Sequence, residues 1–185
     1  MPKTFLQQKG NYRDLIAFQK AECIYDITYY FAHKYLRSND RTVDQMVQAA
    51  RSGRQNIAEG CEGGTASTES EIKLLTVAKA SLQELLLDYE DYLRVRNLTL
   101  WDLNSEKAVQ TRRVCASHND SAFYREAIKL RSDETICNIA ITLIHQADVL
   151  LRKYIERLQA DFLETGGIKE QMFHARINYR NSNKS

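Results

Sequence analysis

The chain has 185 residues and a mass of 21.4 kDa, and its 43% hydrophobic and 27% charged residues are too apolar a mixture for a disordered protein and suit one folded domain. Its 26 basic residues nearly balance its 24 acidic residues, and a net charge of +2 excludes a polycation that binds nucleic acid through bulk charge alone. No run approaches the ~18 apolar residues of a transmembrane helix, and the N-terminus lacks the apolar core of a signal peptide, so we expect a cytoplasmic protein with no membrane partner.

Two helices are predicted in the first third of the chain. Apolar residues recur at spacings near multiples of 3.6 over residues 12–36, which predicts the first helix. The second predicted helix covers residues 42–59, with Asp40 as its N-cap and Gly60 just beyond its C-terminus. One face of this helix is small enough to let another backbone approach closely. The small residues are Ala49, Ala50, Ser52 and Gly53.

A long third helix is predicted over residues 68–97. Ser67 or Thr68 opens it, and the spacing from Thr68 to Glu71 fits a capping box. Its apolar residues repeat every seventh position, which is typical of a helix in a bundle. These residues are Leu75, Leu82 and Tyr89. The pattern then weakens, and we expect only short helices over about 104–129.

The last long helix is predicted over residues 133–164. Its apolar residues are spaced by three or four positions, close to the period of a straight, core-facing helix. Gly166 and Gly167 end it, and the tail over 168–185 is expected to add one short turn and then fray. Four long striped helices need one shared core, so we predict an all-α, up-down four-helix bundle formed by the whole chain as one domain.

Two motifs in the predicted second and third helices resemble a known family. The run QNIAEG at residues 55–60 follows AARS at 49–52, and the run EIKLLTVAKASLQEL covers residues 71–85. Both are similar to signatures of the four-helix-bundle proteins encoded in intervening sequences of bacterial large-subunit ribosomal RNA genes. The runs at residues 85–98 and 163–176 are similar to a subgroup of that family with a C-terminal suffix region.

The resemblance implies a helical bundle assembled as a closed homopentamer, with no enzymatic activity. A relative in that family, the accessory variability protein of diversity-generating retroelements, is a pentamer that binds nucleic acid and its reverse transcriptase. The resemblance therefore implies RNA, DNA or a reverse-transcriptase-like protein as partners. This chain departs from the family pattern in having Val47 and Gln48 where a basic pair is usual, and Gly53 where a branched apolar residue is usual.

Five residues of the two motifs, four of them polar, form the first set of candidate site residues. They are Asn56, Glu59, Gly60, Ser81 and Glu84. A binding site at the junction of the second and third helices is one interpretation. The alternative, which we favour, is a structural polar layer, because the last turn of a helix leaves carbonyl groups that need hydrogen-bond partners.

Charge is distributed unevenly along the chain. Residues 60–93 carry a net charge of −5, residues 94–131 carry +4, and the tail after Gly166 carries +3. One interpretation is head-to-tail packing of an acidic face on the basic face of the next subunit. A second is phosphate binding, and a third is ordinary solvated helix faces. The candidate nucleic-acid-binding residues are Arg94, Arg96, Arg112 and Arg113.

Tyrosines on the first predicted helix are candidates for subunit contact. Tyr25 and Tyr29 lie four residues apart, and Tyr35 continues toward the end of the helix. Tyrosine is enriched at protein interfaces because its ring buries apolar area while its hydroxyl stays hydrogen-bonded. A wider intramolecular core is the alternative interpretation.

No pattern indicates a catalytic, cofactor or metal site. The four cysteines form no C-x-x-C pair, and we expect them to be reduced and structural. No histidine follows a glutamate by three residues, which a di-iron bundle requires. Phosphate-binding and dinucleotide-binding glycine motifs are also missing.

The sequence thus favours a non-enzymatic oligomeric scaffold that binds nucleic acid, or an enzyme acting on nucleic acid, through a basic surface. The alternative is a protein–protein interaction module with no nucleic-acid partner. A metal- or ligand-binding bundle is the least favoured hypothesis.

Overall fold

The computed structural model describes residues 11–63 and 67–182, and within these ranges the chain is helical without a β-strand. The predicted all-α class is therefore confirmed. Two short 3-10 turns cover Tyr12–Asp14 and Ile128–Leu130. The α-helices are α1 (Ile16–Tyr35), α2 (Arg41–Gly63), α3 (Thr68–Val95), α4 (Glu106–Ser117), α5 (Ser121–Ala127), α6 (Asp133–Thr165) and α7 (Ile168–Ser182).

The prediction that Gly60 lies beyond the end of the second helix is wrong. Helix α2 continues to Gly63, and Gly60 is buried in its last turns. A Cβ atom at Gly60 would lie 3.4 Å from the Leu74 Cβ and 3.5 Å from the Glu71 carbonyl oxygen. The glycine therefore serves the contact with α3, and the left-handed conformation of a helix-terminating glycine is not required.

The predicted capping box at the start of α3 is also wrong. Ser67 is the N-cap, and its hydroxyl accepts a hydrogen bond from the Ser70 amide. Glu71 is buried, and its carboxylate accepts a 2.7 Å hydrogen bond from the Tyr154 hydroxyl on α6. Glu71 therefore contacts α6, although its spacing from Thr68 predicts a role in the helix cap.

The four long helices contact one another in the cyclic order α1, α2, α3, α6. Hydrogen bonds between α3 and α6 join successively later residues of α3 to successively earlier residues of α6, so the two helices run in opposite directions. The side-chain pairs are Glu71 with Tyr154, Gln83 with Asp148, and Tyr92 with Asp133. Each of these helices directs its apolar stripe into one shared core, which buries residues such as Ile24, Met46, Leu82 and Leu143.

The small face of α2 packs closely against α3, as the sequence predicts. Ala50 is fully buried, and a Cβ atom on Gly53 would lie only 2.8 Å from the Leu82 Cδ2. A side chain at position 53 would therefore force this pair of helices apart or displace Leu82.

Helices α4 and α5 lie along the flank formed by α1 and α6. The Trp101 amide donates to Asn138 Oδ1 and the Gln146 Nε2 donates to the Arg112 carbonyl, so α4 runs in the same direction as α6. Ser121 at the start of α5 donates a short hydrogen bond to the Asp26 carboxylate of α1. These contacts fix the connection between α3 and α6 to the side of the bundle core.

Lys20 is a buried cation that ties α1 to the C-terminal turn of α4. It is 3% exposed, and its Nζ donates a 2.6 Å hydrogen bond to the Cys115 carbonyl oxygen. Burial lowers the pKa of this ammonium group. A positive charge at a helix C-terminus is favourable because the terminal carbonyl groups carry partial negative charge.

The C-terminal tail differs from its prediction. Residues 168–182 form the 15-residue helix α7 instead of one short turn, and none of its residues is buried. Gly166, with a φ of 73°, separates α7 from α6. Within the described ranges, no helix has a stretch that is both long and apolar enough to cross a bilayer.

The contact between α2 and α3 can be tested by replacing each of two glycines of α2 with alanine. Gly53→Ala and Gly60→Ala gain the same helix propensity, about 1 kcal/mol, but only the first places a Cβ in a tight contact. We expect the Gly53→Ala protein to have a free energy of unfolding about 1–3 kcal/mol lower than that of Gly60→Ala. Urea denaturation followed by circular dichroism measures this difference, and equal stabilities would contradict the close packing.

The burial of phenol and thiol groups predicts how the stability of the protein changes with pH. Burial raises the pKa of Tyr89, Tyr124 and Tyr154, and raises the pKa of Cys23 to about 12. Because these groups ionise more readily in the unfolded chain, their stabilising contribution is complete at neutral pH. It is lost as the pH rises above the ordinary values of about 8.5 for thiols and 10 for phenols.

We therefore expect the thermal unfolding midpoint to fall steadily between about pH 8.5 and pH 11. Lys20 acts in the opposite direction, since its lowered pKa favours the native state at high pH, but three phenols and a thiol outweigh one amine. Thermal melts under reducing conditions measure the trend, with return to neutral pH as the control for reversibility. A midpoint that is constant over this range would contradict the burial of these groups.

Candidate functional site

The polar residues of the two sequence motifs meet where α2 packs against α3. The Ser52 hydroxyl lies 2.9 Å from the Ser81 hydroxyl, which joins the two helices. The Asn56 Nδ2 donates to the Ser52 carbonyl oxygen at 2.9 Å and to its hydroxyl at 3.1 Å. Asn56 and Ser81 are thus linked through Ser52: the bond of Ser81 crosses between the helices, and the bonds of Asn56 lie within α2.

The two glutamates of the motifs, Glu59 and Glu84, are both exposed, and neither shares a hydrogen bond with Ser52. Glu84 nevertheless lines one surface groove of about 610 Å³ together with Ser52 and Ser81, and with the carboxylates of Asp44 and Asp88. Burial, and then the neighbouring Asp91 and Glu84 carboxylates, raise the pKa of Asp88. This groove therefore presents concentrated negative charge between α2 and α3.

The arginines at the end of α3 are engaged with their own helix. Arg94 forms an exposed ion pair with Asp91, with 2.7 Å between nitrogen and oxygen. The Arg96 guanidinium lies over the Tyr92 ring, 3.8 Å from its centroid. Arg96 is exposed, so the outer surface of its guanidinium faces solvent at this end of the molecule.

The second pair of arginines lies on α4, at a different level of the structure. Arg113 is exposed and Arg112 is half-buried, with its carbonyl group fixed by Gln146 of α6. Tyr92, whose ring lies under the Arg96 guanidinium, donates a hydrogen bond to the Asp133 carboxylate at the start of α6. Thirteen residues of α6 separate these two anchoring points, which is about 20 Å along the helix axis. The four candidate arginines therefore form two separate pairs.

The tyrosines of α1 form part of an exposed aromatic row. Tyr29 is 51% exposed, and its ring centroid lies 6.4 Å from that of Tyr25 and 4.2 Å from that of His33. The Arg54 guanidinium of α2 covers the Tyr25 ring at 4.4 Å. Tyr25 and Tyr35 are both half-buried, and Tyr35 donates a hydrogen bond to the Arg131 carbonyl.

A groove of about 620 Å³ runs between this aromatic row and α5. Its lining combines the rings of Tyr25, Tyr29 and Tyr30 with the basic residues Lys34, Arg125 and Lys129. Exposed aromatic rings beside a groove are typical of a protein interface. The structure thus exposes one of the three predicted interface tyrosines, Tyr29, and half-buries Tyr25 and Tyr35, although Tyr25 still lines the groove.

A further cavity was not indicated by the sequence. It has a volume of about 360 Å³ and lies between α4, α5 and α6. Trp101, Phe123 and Tyr124 line it, together with the basic side chains of Lys107 and Arg131. These residues come from separate elements in a region of weak periodicity, so no local signal could have grouped them.

No group of three or more potential metal ligands occurs within residues 11–63 and 67–182. All four cysteines are buried, and no disulfide joins them. Burial raises the pKa of Cys115 and of Cys137 as well as that of Cys23, which keeps the thiols in their less reactive protonated form.

Comparison of the chain with family models, with curated proteins and with solved structures finds no match. The family resemblance of the two motifs therefore depends on the residues quoted above.

The hydrogen bonds around Ser52 generate a test of the structural interpretation. Ser81→Ala removes the bond between the two hydroxyls, and we expect the free energy of unfolding to fall by about 0.5–1.5 kcal/mol. Glu84→Gln, one turn further along α3 and exposed, is the matched control and should change it by less than about 0.5 kcal/mol. Urea denaturation measures both. A Ser81→Ala protein as stable as the control would show that the motif serines are not structural.

Proposed function

We propose that this protein is a member of the intervening-sequence four-helix-bundle family, with α1, α2, α3 and α6 as an up-down bundle. The cyclic contacts of these helices and the opposite directions of α3 and α6 support this arrangement. The two family-like motifs lie on α2 and α3, where the bundle is most closely packed.

We propose a non-enzymatic scaffold that assembles into a closed ring, with the pentamer implied by the resemblance as the expected size. One observation carries the proposal: Ser52 of one motif bonds to Ser81 of the other between α2 and α3, with Asn56 bonded to Ser52 within α2, while Tyr29 on α1 is left exposed. In this proposal the motif holds the bundle together, and the surface around Tyr25 and Tyr29 supplies subunit contacts.

The proposed partner of the ring is a nucleic acid, or an enzyme acting on one. Within the described parts of the chain, no carboxylate oxygen lies within 4.0 Å of the charged nitrogens of Arg96, Arg112 or Arg113. Their charges are thus available to phosphates. In this proposal the two pairs, whose anchoring points lie about 20 Å apart along α6, contact separate phosphates.

A protein–protein interaction module without a nucleic-acid partner is the second candidate function. The ion pair between Arg94 and Asp91 favours it, because this arginine is already partly neutralised. Two separate arginine pairs also differ from a continuous basic stripe, which is the usual electrostatic footprint of a nucleic-acid-binding domain. The cytoplasmic location expected from the sequence stays a prediction.

Self-assembly and nucleic-acid binding are tested separately. Light scattering of the purified protein measures its mass in solution, and we expect a multiple of 21.4 kDa. A mass that equals that of one chain at every concentration would remove the ring.

Filter binding with mixed RNA and DNA across a salt series tests the arginines. Arg112→Glu/Arg113→Glu should make the slope of log affinity against log salt less negative by about 1.4–1.8, since each lost phosphate contact removes about 0.7–0.9. Arg152→Glu/Lys153→Glu, on the exposed surface of α6, has the same change in net charge and should leave the slope near the wild-type value. If the wild-type protein binds neither nucleic acid at low salt, the second candidate function is favoured.

A further inference from the structure

Helix α7 is an amphipathic helix with no residue buried against the other described elements. Four of its apolar side chains are 38% to 71% exposed, and no residue of the helix is buried. These side chains are Met172, Phe173, Ile177 and Tyr179. A 15-residue helix with this much exposed apolar surface gains stability mainly through packing against another surface.

The basic residues of α7 lie together on one side of its apolar stripe. The stripe of Ile168, Met172, Ala175 and Tyr179 follows spacings of four, three and four, which place it along one line of the helix. Lys169, Arg176 and Arg180 are spaced by seven and four residues, so they share the adjacent line with the exposed Phe173. The surface that fits α7 must therefore combine exposed apolar residues with negative charge.

The outward face of α3 has this combination. Val77, Leu87 and Val95 are 48%, 61% and 60% exposed. Glu84 and Asp91 are exposed on the same line of the helix as Val77 and Val95, and the half-buried Asp88 lies beside them. The spacing of seven residues between Glu84 and Asp91 is about 10 Å, and it equals the spacing between Lys169 and Arg176 on α7.

The carboxylates on this face lack strong cationic partners. Burial and the charges of Asp91 and Glu84 raise the pKa of Asp88, which reflects mutual repulsion in part. Asp91 forms an ion pair with Arg94, but this pair is exposed, and such pairs contribute little and exchange easily. Arginines from another helix would therefore relieve repulsion along α3.

The other large surface groove fits α7 less well. The groove beside the tyrosine row contains three basic side chains, Lys34, Arg125 and Lys129, against the single carboxylate of Asp26. Helix α7 also carries a net charge of +2 over residues 168–182, with histidine neutral. Like charges across an interface are unfavourable, so electrostatics direct α7 to α3.

The length of the chain prevents α7 from reaching this face in its own subunit. Tyr154 of α6 lies level with Glu71 of α3, and α6 continues for eleven residues, or about 16 Å, beyond it. Helix α7 is about 22 Å long. If it folded back after Gly166, its far end would reach only about 6 Å beyond Glu71 in the direction of Glu84. Glu84 itself lies about 20 Å beyond Glu71 along α3.

We propose that α7 of one chain docks on the outward face of α3 in a second copy, with Lys169, Arg176 and Arg180 opposite Glu84, Asp88 and Asp91. This contact rests on the self-assembly in the proposed function and names a surface that joins the copies. It is a head-to-tail contact between different surfaces, so its repetition closes a ring or extends a filament.

Charge reversal in the full-length protein tests the contact. Arg176→Glu/Arg180→Glu and, separately, Glu84→Lys/Asp91→Lys should each weaken self-association at least about tenfold, because each places like charges across the interface. The protein with all four substitutions restores opposite charges and should associate within about threefold of the wild type. Sedimentation velocity over a concentration series measures the association, and circular dichroism checks that each variant is folded.

The possible outcomes separate this contact from the proposed function. A wild-type protein that is monomeric at every concentration would contradict self-assembly itself, and the contact with it. A wild-type assembly that neither double variant weakens would overturn the contact between α7 and α3 alone. The same conclusion would follow if the fourfold variant associated no better than the double variants, or if the α7 variant lost only nucleic-acid binding.

Discussion

The close approach of α2 to α3 is the contact on which the rest of the structure depends. Gly53 allows Leu82 to pack against the backbone of α2, and Ser52 and Ser81 exchange a hydrogen bond in the same layer. Because small residues bring the two helices together, the polar groups of both motifs fall within hydrogen-bond distance of each other. The bond between Ser52 and Ser81 lies at this close contact, and the same two serines line the acidic groove beside Glu84 and Asp88.

Those outer surfaces differ in character because the core uses only one stripe of each helix. Tyr29 on α1 and Leu87 on α3 remain exposed, although both belong to helices with fully buried residues. Helix α7 adds a further apolar surface, since none of its residues is buried within the described part of the chain. An assembly of several copies is the simplest way to cover these apolar surfaces, since soluble monomers rarely expose large apolar patches.

The connection between α3 and α6 shows how buried polar contacts position irregular segments. Lys20 binds the carbonyl group of Cys115, and Asn138 binds both the Trp101 amide and the Thr99 carbonyl. Each contact links residues more than 35 positions apart in the sequence. They hold α4 and α5 on the flank of α1 and α6, and the Arg112 carbonyl is anchored at Gln146, thirteen residues or about 20 Å along α6 from the contact of Tyr92 with Asp133.

The sequence by itself determined the helices, because the 3.6-residue period of apolar side chains depends only on local geometry. It also determined the small face of α2, since glycine and alanine have little volume in any setting. Only the tertiary structure decided that Gly60 lies inside a helix, that Glu71 bonds to Tyr154 instead of a cap, and that residues 168–182 form a complete helix. Local spacing cannot specify these outcomes, because each depends on a partner or a chain direction set by packing far away in the sequence.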